Sequence, residues 1–254
     1  MTDEVLVDVD SGVMIITINR PKAKNAINKA VAEGIAAAID QLDADDDIRI
    51  GILTGANNTF CAGMDLKAFL SGETPFLAGR GFGGLVESPP KKPLIAAVEG
   101  YALAGGLELA LTCDLVVAAE DAKFGIPEVK RGLVAAAGGL MRLPRQLPQR
   151  IAMELALTGD FMDAERAAAL GLINHVVPAG EAMTGALALA AKIAANGPLA
   201  VKISKQVITE QQDWSAETMF GKQGALVEPI MRSADAIEGS MAFAEKRAPK
   251  WTGR

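Results

Sequence analysis

β-rich runs, short glycine-bearing connections and helical stretches follow one another along most of this 254-residue chain, and that order limits the fold more than any other feature. Two runs open it, VLVDVD at 5–10 and GVMIITINR at 12–20. The turn between them is the short Asp10-Ser11-Gly12, so a hairpin is expected. NRPKAKNAINK reads as a loop, and an alanine-rich helix runs from about Lys29 to Leu42. RIGILTG at 49–55 is a buried strand; the polar ANNTF leads from it into CAGMDLKAFL, with a helix expected after Gly63. PLIAAVEG at 93–100 is the next buried strand, and GYALAGGLELALTCDL at 100–115 reads as the helix that follows it. DLVVAAED at 114–121 is a further strand. From about Ala136 the pattern is mainly helical, with INHVV at 173–177 as one extra strand. Amphipathic helices fill 180–247, broken at Gly197-Pro198 and near Asp213-Trp214. The segment 71–92, with SGETP and GRGFGG, reads as a mobile loop or short helix. Repeated strand-strand-helix units before an all-helical end favour an α/β core, 1–195, followed by a helical region, 196–254.

Half of the residues are apolar and only 4% are aromatic, so the core must be built from Ala, Val, Ile, Leu and Met. The formal net charge is −6 and no long block of Lys or Arg occurs, which argues against nucleic acid as a partner. An anionic ligand would have to be held by local lysines and helix ends. Cys61 and Cys113 do not make a disulfide framework, and Cys113 reads as core. The lone histidine, His175, leaves no clustered His/Cys metal site and no Ser-His or Cys-His nucleophile. It reads as a strand or edge residue with a structural partner. The acidic start MTDEVLVDVD lacks the basic and apolar regions of a signal peptide, and no apolar run reaches the length of a membrane span. A soluble, cytoplasmic protein is expected, with no metal.

Glu108 is the only acidic or basic residue between Gly100 and Asp114. If a helix starts at Gly105, its first N–H groups have no intrahelical partner and glycine lets a ligand approach them. Glu108, one turn on, shares roughly the same face, placing an acid/base group beside an oxyanion site. A first-turn glutamate also has a plainer reading, as a complement to the helix dipole. A second glycine-bearing junction, TFCAGMDL, offers the N–H of Met64 as another donor. Two donors on one oxygen suit an enolate or tetrahedral intermediate, and losing one such donor costs about 3–4 kcal/mol in a well-studied protease. Glu128, in KFGIPEVKRG, is a second carboxylate; alone it would pass as a surface residue.

Several long motifs in order, NRPKAKNAIN, LTGANNTFCAGMDLKAF, KPLIAAVEGYALAGGLELALTCDLVVA, AKFGIPEVKRGL, GGLMRL and FAEKRAPKW, make the chain resemble the crotonase, or enoyl-CoA hydratase/isomerase, family over nearly its whole length. The resemblance implies a spiral core of strand-strand-helix turns with a C-terminal helical region that forms trimers, often paired into hexamers. It implies a coenzyme A thioester as substrate, with no separate cofactor, its carbonyl oxygen held by the N–H groups of Met64 and Gly105. Both carboxylates of the family's hydratases are present, as Glu108 and Glu128. They would act on the water added across a trans-2-enoyl thioester: Glu108 as base and Glu128 as proton donor, or the reverse. Burial and mutual repulsion should raise at least one carboxyl pKa.

The alternatives are an enoyl-CoA delta-isomerase, a specialised dehydratase such as one for carnitinyl-CoA, and a non-catalytic acyl-CoA-binding paralogue. Lys22 and Lys24 are similar to the family's contacts with adenosine, and Phe243 and Lys246 would approach the adenine and ribose phosphate from a neighbouring subunit. Ala62, Asp65, Leu66 and Ala136 complete the implied substrate contacts, although Asp65 also suits a helix N-terminus. The 71–92 segment should line the acyl pocket. Three departures stand out: Ala135 and Ala136 where many hydratases have proline and glycine, Met64 where a small residue is usual, and Ala104 for the first glycine of a triplet.

Overall fold

The protein is described here by a computed structural model covering residues 3–254. Six strands form the main sheet, in the order Val5–Asp10, Val13–Ile18, Ile50–Gly55, Leu94–Val98, Leu115–Ala119 and His175–Val177. The first pair is antiparallel and the others are parallel. The expected hairpin turns at Ser11 and Gly12, whose φ angles of 50° and 77° match the strand twist in a two-residue turn. Leu94–Val98 is buried at every position, the pattern of a parallel strand covered on both faces.

Each face has its own core. Leu94, Ala96 and Val98 pack in the same cluster as Val31, Ile35 and Leu42 of the helix Lys29–Ala44. Asn28 caps that helix, its side-chain oxygen accepting from the Val31 N–H at 2.9 Å. Ile95 and Ala97 point the other way, with Ile50, Ile52 and Val117. There they meet Ala182, Ala186 and Ala190, spaced four apart along the helix Ala182–Ala194. Alanine at those three positions lets this helix lie close to the sheet.

A second layer is built from shorter pieces. Tyr101–Leu103 pairs in parallel with Lys123–Gly125, which pairs antiparallel with Met162–Asp163. Isolated bridges Cys61–Ala102 and Ile27–Met64 extend it. Successive turns of chain thus give a long strand to the main sheet and a short one to this layer, before a helix, which is the expected spiral.

Two expectations need correction. The stretch 100–115 is not one helix: Tyr101–Leu103 is a strand and the helix spans only Gly105–Ala110. A short apolar run fits strand and helix equally by periodicity, and here pairing with Lys123–Gly125 decides. The segment 71–92 contains a small hairpin, Phe76–Leu77 with Gly81–Phe82, pinned by an edge-to-face contact of Phe76 and Phe82 at 5.4 Å.

After Ala182–Ala194 come helices Pro198–Glu210, Met219–Met231 and Ala234–Glu245, with the two expected breaks and a further one before Ser233. Lys205 ties this region to the core, its ammonium donating to Asp114 at 2.7 Å and the Lys92 carbonyl at 2.9 Å. Large apolar side chains stay exposed along it, among them Ile208, Phe220, Met231, Ile237 and Phe243. Among the described residues no single helix is long and apolar enough to cross a membrane. Cys61 and Cys113 are buried free thiols. His175 opens the edge strand and is exposed, so it needs no structural partner.

Candidate active site

The two glycine-bearing junctions meet. A Cβ added to Gly63 would touch Ala104 and come within 3.3 Å of the Gly105 nitrogen. At the second junction the packing leaves no room for side chains: a Cβ at Gly105 would run into the Phe82 ring, and one at Gly106 into the Cys61 carbonyl. Ala104, which opens this turn, sits at φ 52°, ψ −128°. Holding a non-glycine residue there costs about 1–3 kcal/mol and marks a backbone fixed by its surroundings.

Gly105 is the first residue of its helix and has no intrahelical acceptor. The neighbours of Met64 pair with Ile27 (the Ile27 N–H donates to Gly63, the Asp65 N–H to Ile27). Neither the Met64 nor the Gly105 N–H has an acceptor among the described residues. With only six residues, the helix supplies less dipole than a long one, so position rather than dipole makes the Gly105 N–H useful.

A cavity of about 620 Å³ opens at this place. Met64, Gly105, Glu108 and Glu128 line it, together with Lys24, Ala62, Leu66 and Ala136. Its apolar walls are Phe69, Phe76, Phe82, Leu133, Val134 and Phe161, so the 71–92 segment does contribute. The Lys24 ammonium lies 5.3 Å from the centre of the Tyr101 ring at the margin. Lys22, Asp65, Phe243 and Lys246 are not among the lining residues. Lys22, Phe243 and Lys246 are exposed. Asp65 caps the helix Leu66–Leu70, accepting from the Lys67 and Ala68 N–H groups, and pairs with Arg20 at 2.9 Å. It is a structural cap in this subunit.

The two carboxyls differ in setting. Glu108 is buried, and its Oε1 accepts from the Ala137 N–H at 2.7 Å and the Gly139 N–H at 2.8 Å. Burial pushes its pKa up, while those two N–H donors and the more distant Arg142 guanidinium oppose the rise. Glu128 sits in the turn Pro127–Arg131, half-buried, with its Oε2 enclosed and without a hydrogen-bond partner among the described residues. Burial first, then the charge of Glu108, carry its pKa up to about 7.

Sequence reasoning missed Ala137 and Gly139 as the groups that hold Glu108; Ala136, expected among the substrate contacts, lines the cavity beside them. The Gly138-Gly139 pair before the helix Gly139–Gln146 was the available signal.

Residues 8–254 match the family described as enoyl-CoA hydratase/isomerase. Among curated relatives, the enoyl-CoA hydratase EchA19 of Mycobacterium tuberculosis is 44% identical, with 99% of this chain and 97% of that one covered. The carnitinyl-CoA dehydratase of Proteus mirabilis is 40% identical, both chains being covered in full. Among solved structures, the enoyl-CoA hydratase EchA1 of Mycobacterium marinum is 60% identical over the whole of both chains, with a TM-score of 0.98. The chain therefore belongs to the enoyl-CoA hydratase/isomerase family.

Proposed function

We propose that this protein is a hydro-lyase that adds water across the double bond of a trans-2-enoyl-CoA to give the 3-hydroxyacyl-CoA, or runs the reverse dehydration. The observation that carries the reading is the meeting, in one cavity, of two unpaired N–H groups with two carboxyls, both of whose pKa values burial raises. The thioester oxygen would accept from Met64 and Gly105, which are held in place before charge develops on it. Glu108, whose Oε1 is already stabilised by two N–H donors, takes a proton from water as the oxygen bonds to Cβ. The π electrons move onto the thioester as an enolate, and Glu128 delivers its proton to Cα. One water is consumed; the proton gained by Glu108 and the one lost by Glu128 are re-exchanged through solvent. No electrons are gained or lost overall, so coenzyme A serves only as the substrate's handle.

A carnitinyl-CoA dehydration is the second reading, favoured by the name of the Proteus mirabilis relative. It would run the same steps in reverse. The exposed apolar side chains of the C-terminal helices suit a trimer or a hexamer of paired trimers, in which Phe243 and Lys246 would reach a neighbour's nucleotide. A cytoplasmic location suits the acidic composition. The test follows loss of the conjugated enoyl absorbance with short, long and branched thioesters and with crotonobetainyl-CoA. Hydration of at least one by the wild type, and loss of about 10²–10⁴ in kcat for Glu108→Gln and Glu128→Gln, is expected. Variants that bind ligand and hydrate at the wild-type rate would remove both glutamates from the reaction.

A further inference from the structure

Arg142 lies behind Glu108, outside the cavity lining. It is partly buried on the helix Gly139–Gln146, its Nη2 donating to the Val86 carbonyl at 2.6 Å. Its backbone N–H bonds to Gly138 at 2.8 Å. A Cβ on Gly138 would run into the guanidinium, while one on Gly139 would lie 3.1 Å from Glu108 Oε1. The Gly138-Gly139 backbone therefore separates a half-buried cation from a buried anion, with no ion pair between them. Close pairing would neutralise the carboxylate's basicity; a cation one backbone layer away steadies the charge without occupying an oxygen.

We propose that Arg142 is a positioning residue, which anchors the 137–139 donors to the Val86 carbonyl and supplies the positive charge facing Glu108 from behind. This rests on the hydratase reading above. Other charges around the pair are placed to do other things. Glu128, Lys24, Lys130 and Arg131 line the cavity side, where Lys130 is taken up by Asp160 at 2.7 Å. Arg145, on the same helix as Arg142, contacts Asp213 and Gln212. On the facing 80–87 segment Arg80 pairs with Asp40, and Glu87 receives no contact from Arg142. Burial lowers the pKa of Arg142 and raises that of Glu108, and the opposite charge of each partner works against its neighbour's shift.

The experiment compares pH profiles of kcat for the wild type, Arg142→Met and Arg142→Lys, beside a ¹³C-carboxyl NMR titration of Glu108 assigned with Glu108→Gln. Arg142→Met should move the acidic limb and the NMR midpoint upward together by about one pH unit, a tenfold loss at the low-pH side, with KM little changed. Arg142→Lys keeps the charge and should leave both near the wild-type values. If Arg142→Met does not fold, the lysine variant carries the test, and a moved midpoint there counts against the idea. A uniform fall in kcat with unmoved limb and midpoint would overturn the proposal. A midpoint that shifts in Arg142→Met, together with a wild type that hydrates no enoyl thioester, would keep the proposal and sink the hydratase reading instead.

Discussion

Glu108 sits on a helix in which every residue is buried, whereas Glu128 sits on a turn in which only Pro127 is. The first carboxylate is backed by glycines packed against the Cys61 carbonyl and the Phe82 ring, with two N–H donors on one oxygen. The second is flanked by exposed Val129, Leu133 and Val134, and by Gly132 with open space where a side chain would go. The difference teaches a division of labour. On the proposed reading, the base that meets water at a fixed point is built into the core, while the proton donor and the acyl wall beside it stand on a more exposed segment.

Three stability measurements, by urea unfolding, break or sharpen this contrast. Gly106→Ala should have the largest effect: its methyl meets backbone rather than a flexible side chain, so a loss of about 3 kcal/mol or more is expected, or failure to fold. A cost under about 1 kcal/mol would show that the Glu108 wall is not the rigid one.

Glu128→Gln comes next, and its effect depends on pH. The folded-state pKa of Glu128 is raised from 4.5 to about 7, so between those values the native protein holds a proton that the unfolded chain releases. Native stability contributed by this group is therefore complete below about 4.5 and lost as pH rises through about 7. The glutamine variant escapes that loss. It should gain on the wild type above neutral pH by roughly 1–2 kcal/mol, discounted for the group's solvent exposure. An advantage that is the same at every pH would contradict the raised pKa.

The smallest effect belongs to Gly132→Ala. Space is free there, so only the φ of 68° opposes a side chain, and about 1 kcal/mol should be lost. A much larger loss would mean that the Glu128 turn is as tightly built as its partner.

Much of this was legible in the chain, for reasons that differ by place. Buried parallel strands such as LIAAV announce themselves by continuous apolar runs, and the hairpin by its two-residue turn. Glu108 was readable because a carboxylate interrupts an apolar run, whereas Glu128, alone an ordinary surface residue, was singled out by the family resemblance. Tyr101–Leu103 was not, because three residues carry no period and their pairing partner lies some twenty positions away. Nor were the donors from Ala137 and Gly139, since the Gly138-Gly139 pair hints at free backbone N–H groups without saying which carboxylate they meet. Arg142 stood in the sequence only as a letter of the GGLMRL motif, and its place behind Glu108 comes from the fold.

The most direct test of the central claim, that the two glutamates serve one water, is a double-mutant cycle on the rate of enoyl absorbance loss. Glu108→Gln and Glu128→Gln each should lose about 10²–10⁴ in kcat, and the double variant little more than the worse single one, because neither group works without the other. Losses that multiply in the double variant would contradict the account, placing the two carboxyls in separate steps.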